Sequence, residues 1–115
     1  MSKKPSNFSL NIMGLDWQVF LQSDTVYAKM HGSDSSGITY THDREMYFNK
    51  SYYTPEIIRH ELFHAYHASS PNGSSNMDAE QVEDQSCEIF EKYGPLMLMQ
   101  SDQILSFFSR KHVLK

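Results

Sequence analysis

Thr54-Pro55-Glu56-Ile57-Ile58-Arg59-His60-Glu61-Leu62-Phe63-His64-Ala65-Tyr66-His67-Ala68-Ser69 carries both the strongest helix signal in the chain and its only obvious chemistry. Thr54 suits the N-cap, Pro55 the first helical position, and the Glu56 carboxylate complements the positive end of the helix dipole. Ile57, Ile58, Leu62 and Ala65 supply apolar positions. The polar run Ser69-Ser70-Pro71-Asn72-Gly73-Ser74-Ser75 ends the pattern. The spacing therefore predicts a helix over 54–69.

Within that helix His60-Glu61-Leu62-Phe63-His64 is an HExxH sequence. Residues four apart stand one above the other on a helix, so both imidazoles can reach one metal ion while Glu61 reaches a water beside it. Glu61 is thus the candidate catalytic base, and His60 and His64 are candidate metal ligands.

Upstream, Leu15 to Leu21, Thr25 to Met30, Ile38 to Thr41 and Met46 to Phe48 are short, rich in β-branched and aromatic residues, and separated by turn residues. They predict a small antiparallel sheet over about 15–49. Residues 1–9 read as a loose polar lead-in. Downstream, the apolar spacing predicts a return helix over about 77–93, stopped by Gly94-Pro95, and a C-terminal helix over about 96–110. The fold class is α+β, and 115 residues fit one domain, 1–115.

Composition narrows the function classes. The net charge is −4 and the basic residues are scattered, which argues against nucleic acid as a partner. Cys87 stands alone, so there is no intrachain disulfide and no cysteine-rich zinc framework. No long apolar run suggests a membrane span or signal peptide, so the expectation is a cytoplasmic protein without membrane contact.

A zinc ion that keeps one position open for water needs a third protein ligand. Glu80-Gln81-Val82-Glu83-Asp84 offers an ExxxD pattern on the return helix. Glu80, at the far side of the turn, is the expected third ligand, with Glu83 its rival. Asp84 is expected to accept the Nδ1–H of His60 and hold its tautomer. His67 lies two turns from His60, too far along one rigid helix to share the ion, and becomes a candidate substrate contact. Cys87 reads as small core filler, with a soft-ligand role as the alternative to Glu80.

HExxH followed by ExxxD resembles the gluzincin metallopeptidases. Met46 to Asn49, Ile57 to Tyr66 and Asp78 to Asp84 together are similar to small metallopeptidases of phages and other mobile elements, akin to the ImmA/IrrE type. The metzincin pattern is excluded, because it needs Gly and His where this chain has His67 and Ser70. The resemblance implies Zn2+ as cofactor and a peptide or protein as substrate. It implies Glu80 as the residue completing the zinc site and Asp84 as the one orienting His60. It also implies a substrate strand lying along Met46 to Asn49, with Met46, Tyr47 and Phe48 as binding residues. Tyr52, Tyr53, Tyr66 and His67 are candidate donors to a developing oxyanion, with aromatic packing the default expectation for each tyrosine. A monomer or weak dimer is expected, in the host cytoplasm if the chain is phage-encoded. The competing reading is an inactive zincin-like module that binds a host or phage protein without cutting it; Glu61, which a purely structural metal site does not use, favours the enzyme.

Overall fold

A computed structural model describes residues 6–70 and 79–113, without the side chains of 6, 79–83 and 111–113. The order is β1 (Ser6–Ile12), β2 (Leu15–Gln22), α1 (Asp24–His31), β3 (Gly37–Tyr40), β4 (Glu45–Asn49), α2 (Pro55–Ser69) and α3 (Ala79–Val113). The fold is α+β, with four strands ordered β1-β2-β4-β3.

The sheet is mixed, not antiparallel. β1 and β2 form a hairpin whose two turn residues, Met13 and Gly14, both have positive φ (52° and 85°), the backbone that a tight two-residue hairpin demands. β2 then runs parallel to β4, and β3 pairs antiparallel with β4. A parallel partner needs a crossover. The stretch read as a strand over Thr25 to Met30 is part of that crossover, as helix α1. Ser23 caps it, its hydroxyl accepting the Val26 N–H at 3.3 Å, and Asp24 sits in its first turn. Gly32, at φ 87°, closes it. Residues 6–9 of the presumed lead-in belong to β1.

One face of the sheet presents Leu10, Ile12, Trp17, Val19, Leu21, Met46 and Phe48 to the core formed with α2 and α3. Burying each large side chain is worth roughly 1.5–3 kcal/mol. α2 covers the span expected from its capping residues, with Thr54 Oγ1 accepting the Ile57 N–H at 3.2 Å. Its C-terminal end is tied to the sheet by Trp17 Nε1–H donating to Ser69 Oγ at 2.9 Å.

The return and C-terminal helices are one helix, α3, which passes through Gly94-Pro95 without ending. Pro95 has no N–H for the Glu91 carbonyl, a cost of about 3 kcal/mol in a helix interior. Packing outweighs it: Ile89 and Met97 on either side, and Ile104 and Phe108 beyond, are buried in the core. Gln100 adds a polar tie, accepting the Tyr66 hydroxyl at 2.5 Å and donating to the Asn11 carbonyl at 3.0 Å. Gly94 also eases the passage, since a Cβ on the residue before proline crowds the proline ring in helical conformation.

Among the described residues, no helix is long and apolar enough to cross a membrane.

Candidate metal centre

His60 and His64 lie on the exposed face of α2, 40° apart in helical projection at 100° per residue. Their Nε2 atoms are 3.1 Å apart. Two ligands of a tetrahedral ion at about 2.0–2.1 Å are separated by roughly 3.3 Å, so the pair already has close to the spacing that one zinc ion requires. The donor chemistry and the spacing both fit.

Glu61 lies a further 100° around the helix from His60, on the side facing β3, and is only 7% exposed. Its carboxylate Oε1 accepts the Thr39 hydroxyl at 2.5 Å. Thr39 is a β3 residue that sequence reasoning missed; nothing in the local pattern Ile38-Thr39-Tyr40-Thr41 distinguishes it from any other β-branched strand residue. β3 can lie this close to α2 because it begins at Gly37. A Cβ there would stand 2.8 Å from Ile57 Cγ2 and 3.1 Å from the Phe48 ring.

The sheet edge beside the helix is β3, which corrects the expectation for Met46, Tyr47 and Phe48. Those residues belong to β4, which is paired on both sides by β2 and β3. Met46 and Phe48 are 0% exposed core, and Tyr47 stacks on Phe20 with ring centroids 4.6 Å apart. None of the three is available to a substrate strand. Register explains the difference, because which strand becomes an edge depends on long-range pairing that local composition does not encode.

His67 is likewise withdrawn from the substrate. It is buried, with Nδ1 2.6 Å from Gln85 Oε1 and Nε2 2.9 Å from Ser86 Oγ, and it fastens α2 to α3. Tyr66 is buried with its hydroxyl committed to Gln100, so it is no oxyanion donor. Tyr53 packs edge-on against Phe108, with centroids 4.9 Å apart, whereas Tyr52 is exposed. Cys87 is exposed, not core filler.

The pairs His67–Gln85, His67–Ser86 and Phe63–Phe90 set α2 and α3 antiparallel. With His67 level with Gln85, Asp84 lies about 12 Å along the axis from His60, at 1.5 Å per residue. The support expected of Asp84 for the His60 tautomer is therefore absent in this register, and Asp84 is exposed. The Glu80 side chain lies outside the described residues; its place on α3 is about 12 Å along the axis from His64. The side chain of Glu83, the rival, lies outside them too. Among the described residues no group of three or more His, Cys, Asp or Glu is arranged to hold a metal.

On the opposite face of the sheet, α1 brings His31 to the end of β3. Its Nδ1 is 2.6 Å from the Tyr40 hydroxyl and its Nε2 2.9 Å from Gln22 Oε1. Burial lowers its pKa, which favours the neutral ring. This contact braces the strand that carries Thr39.

No known protein family, curated protein or solved structure matches the chain.

Proposed function

We propose that the chain is a zinc-dependent peptidase of gluzincin type, with His60 and His64 as metal ligands and Glu61 as the general base. The observation that carries the reading is the 3.1 Å separation of the two imidazole Nε2 atoms on an exposed helix face, next to a carboxylate held by the neighbouring edge strand.

When bound, zinc supplies Lewis acidity, lowering the pKa of an attacking water toward neutrality and polarising the scissile carbonyl. Glu61 accepts the proton of that water and returns it to the leaving nitrogen. Thr39 restrains one carboxylate oxygen and limits the rotation of the base. Among the described residues β3 is an edge strand, which supports the pairing of an extended peptide beside the base, giving affinity through main-chain hydrogen bonds. Glu80 is proposed as the third donor, which requires the first turns of α3 to move toward His64 when the ion binds.

The test compares zinc content and cleavage of a denatured protein pool for the wild-type chain and Glu61→Gln. Both should bind one zinc per chain, and only the wild type should cut. Equal cleavage by the two would remove Glu61 as the base, and a chain that binds no zinc would end the proposal.

A further inference from the structure

Among the described residues β3 is a short edge strand, four residues paired on one side with β4. Such a strand opens easily, because one side of its backbone has no strand partner and few residues hold the other. Helix α1 compensates with side chains. Tyr27 and His31 stand one turn apart on the same helix face, with ring centroids 4.8 Å apart. The Tyr27 hydroxyl meets Ser35 Oγ at 2.9 Å, two residues before β3 begins. His31 Nδ1 meets the Tyr40 hydroxyl at 2.6 Å, on the last residue of β3. The two bonds bracket the strand, and neither uses a main-chain group of β3, so the clamp leaves its outer edge open to a peptide.

The clamp is itself anchored in the sheet. Asn49 of β4 donates to Asp24 Oδ1 in the first turn of α1 at 2.9 Å, and Tyr27 is fully buried. The His31 ring packs on Tyr47 of β4, with centroids 4.6 Å apart. Gln22 of β2 donates its Nε2–H to Met30 Sδ, so its Oε1 accepts the His31 Nε2–H, and Nδ1 of the neutral ring accepts the Tyr40 hydroxyl. The end of the edge strand is thereby tied to an interior strand. Thr39 lies between the two ties, with its hydroxyl on Glu61 Oε1. Burial raises the Tyr27 pKa, the bond to Ser35 lowers it, and the Glu61 charge raises it again, so the phenol stands within the field of the base. Resting on the peptidase reading, we infer that Tyr27, His31 and Tyr40 are positioning residues: α1 holds both ends of β3 so that Thr39 fixes the Glu61 carboxylate, and the rate of hydrolysis depends on that hold.

The test removes one hydroxyl at each tie, Tyr27→Phe and Tyr40→Phe together in the full-length chain; both changes keep the ring and with it the packing of α1. In metal-free protein the NMR resonance of the Glu61 carboxyl carbon reports its hydrogen bonding, and Thr39→Val marks the position of a carboxylate without its donor. The double variant should move the resonance most of the way to that position. Zinc-loaded protein is then given a peptide that the wild type cuts, chosen from a digest of a denatured protein pool, at a temperature where every variant is folded. The double variant should lose about tenfold or more in kcat, since a displacement of about 1 Å at a reacting group costs on the order of 100-fold. In the Thr39→Val background the same two changes should have no further effect, because the link through which they act is already cut. A clamp with a merely structural role would lower stability and leave this dependence on Thr39 absent. An unmoved resonance, an unchanged kcat, or an equal loss with and without Thr39 overturns the inference and leaves the peptidase reading standing. A resonance that moves as expected, in a chain whose wild type cuts nothing, keeps α1 as the support of Glu61 and removes the peptidase reading.

Discussion

Replacing Gly37 by Ala tests the contact on which the site geometry depends, the close approach of α2 to the edge strand. The new methyl carbon would stand 2.8 Å from Ile57 Cγ2 and 3.1 Å from two carbons of the Phe48 ring. Neither neighbour yields easily: a β-branched side chain in a helix has one strongly preferred χ1, and Phe48 is fully buried. Overpacking of this kind costs about 1–3 kcal/mol, and the double contact argues for the upper part of that range. Replacing glycine inside a strand recovers about 0.5–1 kcal/mol of backbone entropy. The net expectation is a loss of about 1–2 kcal/mol, or a Tm lower by roughly 4–8 °C for a chain of this length. Urea unfolding with an unchanged m-value would measure it. Gly37→Ala combined with Ile57→Ala, which removes the nearer obstacle, should cost less than the sum of the single changes by about 1 kcal/mol. Gly37→Ala as stable as wild type, with additive behaviour in the double variant, would refute the close docking of α2 on β3 and with it the placement of Thr39 beside Glu61.

Thr39→Val keeps the side-chain shape and removes the donor to a buried carboxylate; it should cost about 1.5–3 kcal/mol in urea unfolding, with most of the loss restored in Thr39→Ser. If Val and Ser behave alike, the hydroxyl is not what holds Glu61. Zinc titration should show Glu80→Ala weakening affinity far more than Asp84→Asn, because the first removes the proposed third donor and the second an exposed residue distant from His60. Comparable small effects from both would move the third donor elsewhere. Burial pushes Tyr47 up to about 12, with the hydrogen bond to the Glu45 carboxylate adding to it, and burial likewise pushes Tyr66 up to about 12. The unfolded chain ionises these phenols near pH 10 while the folded chain keeps them neutral, so their contribution is complete below pH 10 and is lost between about pH 10 and 12. The urea midpoint should fall over that window and fall less steeply in Tyr47→Phe; a flat profile to pH 12 would contradict the burial of both hydroxyls.

Helix α2 and its two facing histidines were legible in the chain because every cause is local. Thr54, Pro55 and Glu56 act within one turn, and the spacing from His60 to His64 is a property of any α-helix. α1 was equally local, with Ser23 and Asp24 at its start and Gly32 at its end, but the β-rich composition of Thr25 to Met30 concealed it. The remaining features depend on contacts between residues far apart in sequence. β4 lies inside the sheet because β2 takes it as a parallel partner, and that choice makes β3 the edge and brings Thr39 to Glu61, 22 residues away. α3 continues through Pro95 because core burial of side chains on both sides exceeds the penalty of one proline. His67 looked like a substrate contact on its own helix, but Gln85 and Ser86 occupy both its ring nitrogens. Helix start and face follow from interactions within a turn, whereas strand partners, edges and the fate of an exposed-looking side chain follow from which distant surfaces the hydrophobic core brings together.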